Sequence, residues 1–148
     1  MSHDFQLVAE RSANDYGRVI AVFNQGLSHM GAGRPDEAEP FFVEALRVGV
    51  EWGFPEGIIF PLEGLGMVAA ARGEHERVAL TSGVCEAGRR EIALGPEEPE
   101  DAMFARAVES ARAALGDERF DTIAREGRAI GVADAGRVEL ERASAPLR

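Results

Sequence analysis

The stretch from Leu62 to Arg90, LEGLGMVAAARGEHERVALTSGVCEAGRR, decides the fold. Leu62, Leu65, Val68 and Ala69 recur at the spacing that lines up apolar groups on one helical face, and Gly73 supplies the permissive backbone on which helices end. A second helix starts at once. Val78, Leu80, Val84, Cys85 and Ile92 form a weaker apolar stripe, with Glu74 and Glu76 in the first turn, where the helix dipole favours carboxylates. The unit is a helical hairpin. A hairpin does not bury both its apolar faces alone, so others are expected to stack on it.

On the N-terminal side, Val19, Ile20, Phe23, Leu27 and Met30 follow the helical period over about residues 15–32, and Gly31 and Gly33 end that helix. Residues 4–12 are expected as a short leading turn or helix, with Asn14 and Asp15 capping the helix over 15–32. Pro35 stands at a first helical position, with Asp36, Glu37 and Glu39 after it, and opens a helix running to about Trp52. Pro40 falls in its opening turns, where few N–H groups have helical partners. Pro55 opens the central hairpin after a turn at Gly53 and Phe54. On the C-terminal side, Pro96 to Asp101, PEEPED, reads as a polar linker. Met103, Phe104, Ala107, Val108, Ala111 and Leu115 then mark a helix broken by Gly116; Phe120, Ile123, Ala124 and Ile130 mark another, and residues 132–143 a last one. Residues 144–148 are expected to fray.

Internal repetition organises these helices. GLSHMGAG-RPDEA, from Gly26, aligns with GMVAAARG-EHERV, from Gly66, at a period of forty residues. Both have a glycine at a helix-crossing position, a glycine hinge seven residues later, and a small or branched residue, Ala38 or Val78, five beyond the hinge. That pattern resembles tetratricopeptide repeats. A third hinge at Gly116 lacks the earlier glycine, so the third unit is degenerate. Gln25 and His29 depart from the pattern, standing where leucine and a bulky aromatic are usual. The fold expected is all-α: a tetratricopeptide-like stack of about three hairpins (15–52, 56–94 and 100–130) with a C-terminal capping helix over 132–143, in a single domain spanning 1–148. Gly66→Leu is expected to cost more stability than Gly26→Leu, because the second hairpin has the better-formed faces.

The run GLGMVAAARGEHERVALTSGVCEAGRREIALG, continued by FARAVESARAALGDERFDTIAREGRAI and the closing helix, resembles the C-terminal helical-repeat region of actinobacterial LuxR-type and predicted-ATPase transcriptional regulators. The resemblance covers about residues 15–142, and its most specific pieces are the ARGEHER hinge, the EAGRREIALG helix end and the ALGDERF turn with EGRA beyond it. It implies a regulatory setting. It implies neither nucleotide hydrolysis nor DNA binding, since no GxxxxGK phosphate loop and no separate helix-turn-helix domain are present in the sequence.

Composition narrows the function classes. The 148 residues hold sixteen arginines, no lysine and twenty-six carboxylates, net -10, which repels nucleic-acid phosphate; no local basic patch offsets it. The longest apolar run, Met67 to Ala71, is far too short to span a bilayer, and the N-terminus lacks the basic and apolar regions of a secretory signal. A cytoplasmic protein is expected. Cys85 is the single cysteine, and His3, His29 and His75 have no ligand-type neighbours at zinc spacing, so no metal site is expected and His75 reads as an exposed turn histidine. Ser82 and Ser110 lack a nucleophile elbow, and the paired carboxylates show no sign of a buried cleft; an enzyme is not expected, nor a cofactor.

Two readings of function remain. The first is a non-catalytic protein–protein interaction or regulatory module binding a protein or peptide, a second copy of the chain included. The alternative is an effector-sensing domain holding a small apolar ligand between hairpins. In tetratricopeptide geometry the first helix of each hairpin lines a concave groove, which places Ile20, Phe23, Leu27 and Met30 beside Phe60, Glu63, Met67 and Ala70. Glu63 would be the single charge in that trough and Met67 its adaptable surface. The competing reading makes these residues core, covered by the leading segment or by a second copy.

Overall fold

The computed structural model describes residues 3–95 and 100–144, with side chains over 16–95 and 101–144. Among these residues seven α-helices succeed one another and no strand occurs: α1 (His3–Gly31), α2 (Pro35–Trp52), α3 (Glu56–Ala71), α4 (His75–Glu91), α5 (Glu100–Leu115), α6 (Asp117–Arg128) and α7 (Val132–Ser144). The chain is an all-α stack of helical hairpins. Residues 96–99 of the acidic linker and 145–148 of the tail lie outside the described residues.

The forty-residue repeat is geometric as well as textual. Gly33 and Gly73 both adopt left-handed backbone, φ +75° and +74°, which a side chain would strain. At each hinge the next residue reaches back to the same place: Arg34 N–H donates to the His29 carbonyl and Glu74 N–H to the Ala69 carbonyl, both at 2.9 Å. Ala38 and Val78, five beyond each hinge, are fully buried.

α1 departs from expectation. Asn14 and Asp15 lie inside it, because residues 4–16 contain neither glycine nor proline and an established helix extends more cheaply than it restarts.

α3 is the axis of the molecule. Every residue from Gly57 to Ala69 except Phe60 is buried, against α1, α2, α4, α5 and α7. Glycines set the closest approaches. The Phe42 ring of α2 lies between Gly26 of α1 and Gly64 of α3, where added Cβ atoms would stand 2.5 and 2.6 Å from it. Gly49 of α2 packs directly on the Gly57 carbonyl of α3. Pro61 has no N–H to give that carbonyl its helical hydrogen bond, which leaves it turned to the neighbouring helix. The surroundings of Gly26 and Gly66 favour the opposite of the glycine ranking expected from the sequence. A Cβ at Gly66 meets the half-buried Phe104 ring at 2.8 Å and the Thr81 methyl at an ordinary 3.5 Å, whereas one at Gly26 faces the fully buried Phe42 ring at 2.5 Å.

The third unit is built differently from the first two. α5 and α6 share little contact; α5 leans on α3 and α4, and α6 lies along α4. Gly83 of α4 packs on the Ala124 carbonyl, and Gly127 of α6 on the Leu80 carbonyl. α7 then returns across α2, α3 and α4, with Gly136 against Val50, Ile58 and Leu46, and Val132 against Gly88.

Candidate functional site

The trough expected between α1 and α3 is filled, because the helices turn those residues inward. Phe23 is buried, its ring 5.5 Å from Phe42 and 6.0 Å from Phe60. Leu27, Met30 and Phe60 are half-buried and pack against the main core, and Met67 is buried. Ile20 alone of the expected groove residues stays exposed, at 43%. Glu63 is no lone charge: it is 3% exposed and accepts two hydrogen bonds from Arg89 of α4, 2.9 Å from Nε and 2.7 Å from Nη2. The same guanidinium lies 5.4 Å from the Phe60 ring centroid and donates to the Gly95 carbonyl at 2.8 Å. Sequence reasoning missed Arg89, which carries no periodic signal at the end of α4.

Near α1 there is still a small edge groove of about 150 Å³, bordered by Tyr16, Ile20 and Asn24 on one side and Phe54 and Phe60 on the other. Tyr16 is as exposed as Ile20, and its ring centroid lies 5.8 Å from that of Phe54.

A larger cleft, about 670 Å³, lies between α4, α6 and α7. The degenerate third unit creates it: α6 sits on α4 and α7 crosses to α2, leaving a gap between them. Leu62, Val84 and Ile123 floor it, Leu80 and Ile130 flank it, and Ala135 and Val138 form the α7 wall. The rim is charged. Arg77 binds Glu139 and, at 2.9 Å, Glu74, while Arg142 approaches Glu139 at 3.7 Å and Arg119 pairs with Glu76 at 2.8 Å. Burial works against the Arg77 charge, but the Glu139 hydrogen bond and attraction, then those of Glu74, outweigh it and raise its pKa. Arg72, outside the cleft, is likewise held charged above the usual arginine range by hydrogen bonds to Glu39 and Asp36.

Neither His29 nor His75 lines either opening. His29 stacks on Phe41 at 5.2 Å, with Nδ1 3.3 Å from a Glu37 oxygen. His75 is half-buried with its Nδ1 enclosed, not the exposed turn histidine expected, because α4 starts on it. Among the described residues no group of three His, Cys, Asp or Glu side chains is placed to hold a metal ion, and no helix is long and apolar enough to cross a membrane. No family model, curated protein or solved structure matches the chain.

Proposed function

We propose that this chain is a non-catalytic protein-interaction module of a cytoplasmic regulatory system, and that it docks a partner helix on the outer face of α1. One observation carries the reading. Gly17 lies forty residues before Gly57, the glycine on which α2 sits, yet a Cβ at Gly17 would have nothing within 4 Å among the described residues. A glycine inside a helix costs about 1 kcal/mol relative to alanine. At Gly57 the α2 backbone rests on the carbonyl and the Phe54 ring fills the place of a side chain; at Gly17 no described residue stands there, and Tyr16 and Ile20, each 43% exposed, flank it. The occupant that fits is an amphipathic helix with glycine or alanine at the crossing, packed as α2 packs on α3. The resemblance to regulator repeat regions supports the setting, and the net charge of -10 argues against direct nucleic-acid contact.

The probe is a labelled peptide with the sequence of residues 35–52, titrated into the full chain. Binding that is lost in Gly17→Leu, with thermal stability retained, supports the reading. No binding, or equal binding to both proteins, overturns it.

A further inference from the structure

We infer that the cleft between α4, α6 and α7 is a binding site for a compact amphiphile with an apolar body and a single positive charge. The site is separate from the α1 face and shares no residue with it.

Size and enclosure come first. About 670 Å³ falls within the range of about 300–1,000 Å³ typical of small-molecule sites. The Arg77–Glu139 pair, whose side chains are 13% and 11% exposed, stands between the cleft and a smaller hollow beyond, so the cleft is closed at that end. A closed end suits a compact molecule and not a through-running segment of chain.

Thr81 supplies the polar contact. It is 8% exposed, and its methyl group faces Gly66 of α3, 3.5 Å from where a Cβ would stand. Thr81 lines the cleft, and its hydroxyl has no hydrogen-bond partner among the described residues, whereas Thr122, on α6, bonds the carbonyl four residues back. A ligand group over Val84 and Ile123 that accepts or donates a hydrogen bond would partner this hydroxyl.

Charge selects the class. Every rim arginine is already matched: Arg77 to Glu139 and Glu74, Arg119 to Glu76, Arg142 to Glu139. Glu126 lines the cleft and feels Arg119 only at longer range, without an ion-pair contact. The rim therefore has one carboxylate in surplus, in a chain whose net charge already draws cations. An ammonium at Glu126, an apolar body on the floor and a hydrogen-bonding atom at Thr81 satisfy all three features.

Three probes with one body separate these contributions: 1-naphthylmethylamine, 1-naphthalenemethanol and 1-naphthoic acid, titrated calorimetrically into the full chain. The amine is expected to bind about threefold more tightly than the alcohol, the scale of an exposed charge pair, and the acid most weakly. Glu126→Gln removes the preference for the amine. Thr81→Val weakens amine and alcohol about fivefold, the scale of one hydrogen bond, while Thr81→Ser binds as the parent protein does and controls for packing. Gly17→Leu leaves every affinity unchanged. Binding of the acid as tight as that of the amine, indifference to Glu126→Gln, or no binding by any probe overturns the assignment; the α1 reading survives each of these results.

Discussion

Arg89, in the last turn of α4, reaches across to Glu63 in the middle of α3 and holds both of its carboxylate oxygens. The pair bridges the two helices of the central hairpin, with the side chains 15% and 4% exposed. Breaking such a pair strands a buried charge, so Glu63→Leu alone is expected to cost about 3–5 kcal/mol in urea unfolding. Glu63→Leu combined with Arg89→Leu should cost clearly less than the two single losses added together. Additive losses would show that the side chains act separately.

Phe23 divides core from surface on α1. Phe23→Ala is expected to cost about 3–5 kcal/mol of stability, since the ring is packed between Phe42 and Phe60. Ile20→Ala, three residues away and exposed, should change stability by no more than about 0.5 kcal/mol. Denaturant unfolding of the two variants checks this; equal losses would place Ile20 in the core.

Two glycines of the same helix should respond in opposite directions. Gly17→Ala is expected to stabilise by about 0.5–1 kcal/mol, because the helix gains propensity and the new methyl meets nothing. Gly26→Ala should destabilise by about 1–3 kcal/mol, because its methyl would press on a fully buried ring. Melting temperatures of the two variants give the signs directly.

The Arg77–Glu139 contact should be insensitive to pH across the neutral range. The Arg77 pKa is raised on folding, so its stabilisation is complete at every pH below the ordinary arginine value and is lost only as pH rises through the higher folded value. Glu139→Gln is expected to cost about 1.5–3 kcal/mol, the scale of hydrogen bonds to charged groups. That loss should be the same at about pH 6 and about pH 9, both below the range in which Arg77 gives up its proton. A loss that differs between the two would implicate another titrating group.

The features legible in the sequence are those written locally. Gly33 and Gly73 announce their left-handed hinges through residue type and spacing, and the repeat is read from them. The Glu63–Arg89 pair was not legible, because its members are separated along the chain and meet only through the rotation that packing imposes on α3 and α4. The same holds for the closed trough: periodicity identifies an apolar face on α1 but not how deeply α2 and α3 enclose it. The α4–α6 contact left a faint trace. Gly83 and Gly127 are costly inside helices and mark places where another backbone comes close, though not which one.

Linear repeat arrays fold and fray unit by unit, because each repeat touches only its neighbours. The return of α7 removes that freedom. Gly136 completes the surroundings of Leu46 and Val50, so the first hairpin lacks part of its cover until the last helix has been synthesised. Such long-range closure slows folding and keeps the apolar side of α2 exposed on the nascent chain. Once formed, it ties both ends of the array into one cooperative transition, and a chain shortened before α7 loses stability at its opposite end.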